Sequence, residues 1–379
     1  MRQRHAATFL LPLLYLSLAT GPSPARVWRV TPEGDGDAPT IQAAADSSAQ
    51  DDTVLVAAGT YFENIYLEGK GITLMSESGA ESTILDGSSE DGPVVYFDDV
   101  VGGEVEGFTI QNGTTGGDRG IVSIGMDLAI RSNIIRRNYT ISAGAGVQVA
   151  GRCVIEGNLI TENAAEQGGG VYVTTYADLT AVVVIDNVFS NNTAYFRGGG
   201  LYVIGNPDDQ ATVRGNLFIS NQALTGSAIY AATVNPIDSN TLYGNKGPGG
   251  AITFTVGAEP DVRWNIIAGT IEGPAVYCEY NSGYSAWPRF RCNAFWDNEG
   301  GLAGGLGCDV YGVLGNFVED PLLCDPEFGD FHLTNQSPCL PGNHPNGFDC
   351  GLIGAFDVGC TGPDPVEKTS WGRIKVRFR

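Results

Sequence analysis

From Asn158 to Val203 the chain writes one pattern of apolar and polar positions twice. The first copy reads NLITENAAEQGGGVYV, Asn158 to Val173, and the second NVFSNNTAYFRGGGLYV, Asn187 to Val203. The unit extends in both directions. Asparagine recurs at Asn133, Asn158, Asn187, Asn216, Asn240, Asn265 and Asn293, in steps of 25, 29, 29, 24, 25 and 28 residues. Two positions later stands a large apolar residue: Ile135, Ile160, Phe189, Phe218, Leu242, Ile267 or Phe295. Five positions later comes a second asparagine (Asn138, Asn163, Asn192, Asn221, Asn245, Asn298), with Thr270 as the exception. A fixed unit repeated at this period points to a stacked architecture.

The segments between these marks are short, β-branched and alternating, and glycine punctuates them. One strand–turn–strand–turn circuit of about 22–29 residues is one coil of a parallel β-helix, in which each residue stacks on its counterpart about 4.8 Å away. That predicts an all-β, single-stranded right-handed parallel β-helix of about ten coils, roughly 50 Å long. It also explains the asparagines. A side-chain amide at a buried corner bonds the backbone and the amides above and below it, at about 1 kcal/mol net per bond. Four Asn-x-Ser/Thr triplets begin at Asn112, Asn138, Asn192 and Asn335. Two of them fall on the second asparagine series, so corner chemistry takes precedence there over glycosylation.

Composition narrows the picture. The chain has 379 residues, 53 glycines and 17% charged residues, which suits one elongated solenoid. Its formal charge is −22, and −24 without the first 25 residues. That argues against nucleic acid and anionic membrane as partners, and against tight binding of polyuronates unless a cation bridges them. Arg2, Arg4 and His5, the apolar run Phe9–Ala19 and Ser23-Pro24-Ala25 read as a secretion signal over 1–25. No other run reaches transmembrane length. The destination is secreted, extracellular or cell surface, with the periplasm as an alternative. Export fits eight cysteines, seven of them after residue 277. Near neighbours suggest Cys278–Cys292, Cys308–Cys324 and Cys339–Cys350, although spacing cannot fix connectivity. Cys360 is left without an evident partner, and Cys153 reads as a small buried apolar side chain.

The remaining organisation is an N-terminal cap over 26–53, coils over 54–317, a Cys-rich cap over 318–360 and a linker and basic tail over 361–379. The cap contains an edge strand at Val27–Val30 and a short helix over Thr40–Asp46, with Thr40 or Asp37 near its cap position. The helix covers the open hydrophobic end of the solenoid. The run TIQAAADSSAQDDTVLVAAGTYFENI (40–65) resembles the opening of secreted right-handed β-helix proteins of the pectin lyase-like superfamily. The likeness continues through Gly71–Leu74, Ile84–Gly87 and Gly107–Gly113, where Phe108 replaces the corner asparagine. Asp320–Leu323, Gly329–Leu333 and Gly354-Ala355 resemble the family's finish. The superfamily implies the fold and leaves the activity open, since it spans lyases, hydrolases, esterases, epimerases and adhesins.

The catalytic stretches of those relatives do not carry over. There is no Gly-His-Gly, no Gly-Arg-Pro-Trp, no Arg-x-Pro-x-x-Arg and no Asp-Pro-His. Arg373-Ile374-Lys375 lies beyond the last coil. The copper-linked β-helix proteins imply His or Met ligands, but after the leader only His332 and His344 remain, both outside the coils. Histidine acid–base chemistry in the coils is excluded.

Two constellations remain. Tyr172, Tyr202, Tyr230 and Tyr277 each follow an inward apolar residue, so period two points them outward in a row interrupted by Thr253. Such a row can bind a neutral or weakly charged glycan, or simply pack under a turn. Asp178, Asp208 and Asp209 share one turn of adjacent coils, with Glu259 and Asp261 further on and Arg197 and Arg214 nearby. They can serve as an acid–base pair on a sugar, with Asp208 and Asp209 as calcium ligands, or be solvated loop charge. In the tail, Ile374, Val376 and Phe378 alternate with Arg and Lys, as in a sorting signal, an added strand or a mobile end. The reading favoured is a monomeric, non-catalytic extracellular scaffold or glycan-binding protein that needs no cofactor, calcium excepted. The alternatives are a polysaccharide lyase or glycoside hydrolase, and an adhesin-like rod.

Overall fold

The computed structural model describes residues 25–360 apart from 90, 114–118, 176–181, 206–210, 233 and 311–313. The expected leader, save Ala25, and the expected basic tail lie outside the described residues, as do Asp178, Asp208 and Asp209.

The chain winds into a parallel β-solenoid. Its first sheet has 19 strands and its second has 11. A short third face pairs Ala164–Gln167 with Thr193–Arg197 and continues as single bridges. With the opening strand Val27–Val30, the solenoid makes about twelve turns, slightly more than the asparagine spacing predicts. The extra turns are upstream, where strands Gly59–Tyr61 and Thr83–Asp86 stack without a corner asparagine, and at the last coil. Register is strict. Val171 pairs with Leu201, which pairs with Ile229, then Ile252 and Val276, and all five are buried.

Each corner turns by one residue in the left-handed region. Ser132 (φ 54°), Asp186 (φ 53°), Ser239 (φ 54°) and Trp264 (φ 56°) all hold it, with Gly157 and Gly215 between them. That bend aims the next residue inward, and the next residue is the asparagine. Asn158 N–H donates to Asn187 Oδ1 (2.9 Å), Asn187 to Asn216 (3.0 Å), Asn216 to Asn240 (2.9 Å), Asn240 to Asn265 (3.0 Å) and Asn265 to Asn293 (3.0 Å). The ladder ends at Asn316, which accepts from Asn293 at 3.0 Å and was not part of the expected series. Phe108 N–H starts it by donating to Asn133 (3.0 Å). A second ladder runs from Gly113 N–H through Asn138, Asn163, Asn192, Asn221 and Asn245, breaks at Thr270, and has a last rung from Thr270 N–H to Asn298. Asn138 and Asn192 are 1% and 0% exposed, so neither accepts a glycan in the folded chain.

Behind the ladder the apolar column packs ring on ring, with Phe189 and Phe218 stacked at 4.6 Å. The glycine triplets keep the next turn close. A Cβ on Gly170 would lie 2.5 Å from the carbonyl oxygen of Gly200. The first end is closed by the helix Ile41–Ser47, whose Ile41, Ala44 and Ala45 are buried. Thr40 is its N-cap and accepts from Ala43 N–H; Asp37 instead accepts from Arg29 N–H. Glu63 accepts the Ile41 and Gln42 N–H groups at 3.0 Å each, completing the cap.

After the last coil comes the Cys-rich segment 318–360. It folds back along the outside of the second sheet and forms its own small core there. Leu333, Cys339 and Ile353 pack on Ile266, Ala268 and Ala294, and Phe331 reaches Val188 and Leu217. The suggested disulfides are corrected. The bonds are Cys278–Cys308, Cys292–Cys350 and Cys324–Cys360, so Cys360 has a partner. Stacking is the reason. One coil carries the chain from Cys278 to the neighbourhood of Cys308, and the fold-back carries Cys350 onto the last corner at Cys292. Cys153 and Cys339 are free and buried, and burial pushes both thiols up to about 12, leaving no thiolate for chemistry.

Candidate functional site

The tyrosine row forms in register. Tyr172 stacks on Tyr202 at 5.0 Å and Tyr202 on Tyr230 at 5.0 Å, with Thr253 interrupting before Tyr277. Its middle is not an open platform. Tyr202 and Tyr230 are each 3% exposed, because the turn after Thr193–Arg197 folds over them. The Arg197 guanidinium sits 5.1 Å from the Tyr230 ring, and Tyr230 Oη donates to Glu279 at 3.0 Å. Burial pushes the Tyr230 phenol up to about 12. The ring faces are occupied by one another, and only Tyr172 and Tyr277 remain half-exposed.

The same row reaches further upstream than the sequence indicated. Tyr172 pairs with Gln148, then Val122, Tyr96 and Tyr66. Tyr66 and Tyr96 stack at 5.1 Å, and Tyr66 is 44% exposed. Its hydroxyl donates to Asp98 (2.8 Å), which holds the phenol up at about 12.

A concavity lies beside that end. In Ile121–Arg131 and Val147–Glu156 the first sheet's strand runs on as one long strand, where neighbouring coils break it in two. A groove of about 430 Å³ opens on this stretch. Its floor is one outward row from five coils: Thr73, Glu104, Ala129, Val154 and Val183. Four coil steps give it a length of about 19 Å. Asp127 and Arg152 form one wall as a two-pronged ion pair. Arg131 forms the other, held by Glu104 (2.6 Å) and Glu156 (2.9 Å). Those two bonds raise the Arg131 guanidinium further above its ordinary range. Ile124 and Met126 stand exposed on the same long strand. Glu106 flanks Arg131 in register, and its carboxyl is pushed up by burial and then by the Glu104 charge.

None of the floor residues was singled out by sequence, since each is an ordinary strand residue and only register assembles them. Of the acidic group, Asp261 pairs with Arg289 (2.9 Å) rather than facing a site. Arg197 and Arg214 are engaged elsewhere, Arg214 with Asp238 at 3.5 Å. Among the described residues, no three His, Cys, Asp or Glu converge on a point that could hold a metal, and no helix is long and apolar enough to cross a membrane.

The stacked parallel coils and the asparagine ladders define a parallel β-helix protein, and the three disulfides suit an oxidising compartment outside the cytoplasm. Within that class the chain belongs to the family described as periplasmic copper-binding protein (NosD), which matches residues 45–271. No curated protein matches it. Solved structures that are similar include a PL6 alginate lyase in complex with a trisaccharide, at 12% identity and TM-score 0.47. The match covers 82% of this chain and 65% of the lyase, so the chain spans about two thirds of that enzyme's length. A mannuronic acid specific polysaccharide family 6 lyase from human gut microbiota shows 13% identity, coverage of 78% and 87%, and TM-score 0.41. Pectin methylesterase from carrot shows 15% identity, coverage of 87% and 95%, and TM-score 0.38.

Proposed function

We propose that this chain is a monomeric, extracytoplasmic β-helix that holds a neutral or weakly charged glycan along the groove from Thr73 to Val183 and does not cleave it. It works at the cell surface or, as the family's description has it, in the periplasm. The observation that carries the reading is the internal closure of the groove's charges. Both guanidiniums that line it are already bonded to carboxylates, so the trough offers hydrogen-bonding edges and a partly apolar floor without a free cation. The half-exposed ends of the tyrosine row, Tyr172 and Tyr277, are secondary contacts in this reading, and Tyr202 and Tyr230 are supports.

Copper does not fit the donors of this chain. The family-matched span 45–271 contains no histidine. His344 is buried with Nε2 on the Gly315 carbonyl (2.7 Å) and Nδ1 accepting from Asn346 N–H. His332 Nδ1 is engaged by Asp330 at 2.8 Å. The soft donors a copper ion favours are scattered or spent. Metal analysis of the purified protein after dialysis against copper is expected to find no stoichiometric ion. One bound ion per chain overturns this part.

One observation favours a catalytic reading as the alternative: the raised carboxyl of Glu106 beside Glu104, which suits a general acid on a sugar. A glycan array identifies what is retained. Assays for reducing ends and unsaturated products, with and without Ca²⁺, then decide between holding and cutting. Retention without product supports the proposal. Product that disappears in Glu106→Gln replaces it with a lyase or hydrolase, and product that depends on Ca²⁺ brings Asp208 and Asp209 into the site.

A further inference from the structure

The two ends of the solenoid are finished differently. At the first end the helix Ile41–Ser47 lies across the core, and the outer edge of the opening strand Val27–Val30 is engaged. Arg29 N–H donates to Asp37 Oδ2 (2.8 Å), and the Arg29 carbonyl accepts from Asp37 N–H (2.7 Å). At the far end the last two strands are Ala303–Gly305 and Phe317–Val318. Among the described residues they pair only with the coil before them, through Val276–Cys278 and Ala294–Trp296. The inward column that is fully buried at Leu201, Ile229, Ile252 and Val276 ends half-buried at Ala303. Leu306, Leu314 and Val318 stand exposed on the same coil. The Cys-rich segment meets this coil at the corner, where His344 Nε2 reaches the Gly315 carbonyl, and otherwise follows the second sheet. An open strand edge over an apolar core is a template for one more strand.

Charge marks the same region. No lysine or arginine occurs between Arg291 and Lys368, and residues 292–360 carry ten aspartates and glutamates. Asp297, Glu299, Asp309 and Glu319 are exposed on or beside the last coil. The opposite sign is concentrated in residues 373–379, Arg-Ile-Lys-Val-Arg-Phe-Arg, with four cations. Apolar and cationic residues alternate there with the period of a strand. An extended chain would therefore put Ile374, Val376 and Phe378 on one face and the cations on the other. The segment is also within reach. Cys360 is bonded to Cys324 (Cα–Cα 6.1 Å), which follows Val318 by six residues, so it lies within about 27 Å of the last coil. Residues 361–372 extend to about 40 Å.

We propose that residues 373–379 of this same chain are the closing strand of the far end. They lie against Ala303–Gly305, with Ile374, Val376 and Phe378 over the half-buried core and the cations toward the acidic rim. Ala303 is small where the preceding coils carry Ile252 and Val276, which leaves room for a larger side chain above it. The added strand pairs the outer backbone groups of the last coil and keeps the solenoid from joining end to end with a second copy. The far end is separate from the groove of the first sheet, and the proposal stands or falls independently of it.

The test is amide hydrogen exchange, read by mass spectrometry, on the full chain and on a variant carrying Ile374→Ser, Val376→Ser and Phe378→Ser. Amides of residues 302–306 are expected to exchange at least tenfold more slowly in the wild type. Those of Val171–Val173 should exchange alike in both chains, which separates an uncovered end from a misfolded coil. Equally fast exchange at 302–306 in the two chains means that the segment does not cover the end, and equally slow exchange means that something else does. Wild-type protection should not depend on protein concentration, and protection that rises with concentration makes a second copy the occupant. Each of these overturns the proposal. A synthetic peptide of residues 371–379 should restore protection to the variant, and less well at high salt. A scrambled peptide of the same composition that restores it equally shows bare charge attraction and contradicts strand pairing.

Discussion

The inside corner and the outside face of the same coils obey opposite rules. Inside, one side chain recurs from Asn133 to Asn316, and every rung repeats the same bonds within a few tenths of an ångström. Outside, the row that begins with Tyr66 continues through Tyr96, Val122, Gln148 and Tyr172, changing character almost coil by coil. A buried amide is tolerable only if the coil above and the coil below supply its partners, so the inside cannot vary singly. The outside has no such constraint, and this is where coils can diverge into a groove at one level and a covered tyrosine stack at another.

The largest effect should come from breaking the inside. Asn187 Oδ1 accepts from the Asn158 backbone N–H and from Nδ2 (2.9 Å each), and its own Nδ2 reaches the Ile155 and Ile185 carbonyls (2.8 Å each) and Asn216 Oδ1 (3.0 Å). Asn187→Ala orphans several buried groups at about 1–3 kcal/mol each, so a net loss of roughly 3–5 kcal/mol is expected in denaturant unfolding. Glycan retention by the folded fraction should be unchanged.

Breaking the outside should do the reverse. Arg131→Ala removes the clamp on Glu104 and Glu156, a pair of partly exposed bridges worth about 1 kcal/mol or less each. Stability should fall little, while retention of a groove-bound glycan weakens about tenfold, near 1.4 kcal/mol. Binding measured beside a melting curve separates the two effects.

Repairing the inside is a finer test. The second ladder lapses at Thr270, which is 1% exposed. Thr270→Asn restores an acceptor for the Asn245 rung and should add about 0.5–1 kcal/mol in the same unfolding assay. A loss would mean that this corner has closed around the smaller side chain.

The smallest effect concerns charge in the cap. Asp52 is 5% exposed, and its carboxyl lies below the usual range because Ala49 N–H and Arg26 N–H donate to it, with Trp28 Nε1 adding a third bond. A depressed carboxyl contributes stability that is full above its unfolded value near 3.8 and fades as pH falls through its lower folded value. Acid titration should therefore loosen the N-terminal cap below about pH 4, and Asp52→Asn should flatten that limb.

The same contrast explains what the sequence revealed. The ladders, the aromatic column and the capping helix were legible because each is a local pattern forced to repeat. Asn316 escaped because its coil is the last, with Val318 two positions on and Pro321 where a second asparagine would stand. The disulfides escaped because sequence neighbours in a solenoid are not space neighbours; a cysteine finds its partner a coil away or across the fold-back. The groove escaped for the same reason, since Thr73, Glu104, Ala129, Val154 and Val183 share nothing but register. The tyrosine row was readable as a row, but not the Arg197–Glu279 cover that buries its centre.

The most direct test of the groove is to fill it. Val154 lies mid-floor, facing out between buried Cys153 and Ile155, so Val154→Trp should block the trough without touching the inner corner. On a glycan array the wild-type chain is expected to retain a neutral glycan and release no product from it, while Val154→Trp, folded and equally stable, retains at least tenfold less. Equal retention by the two chains, or cleavage of the retained glycan by the wild type, would contradict the account.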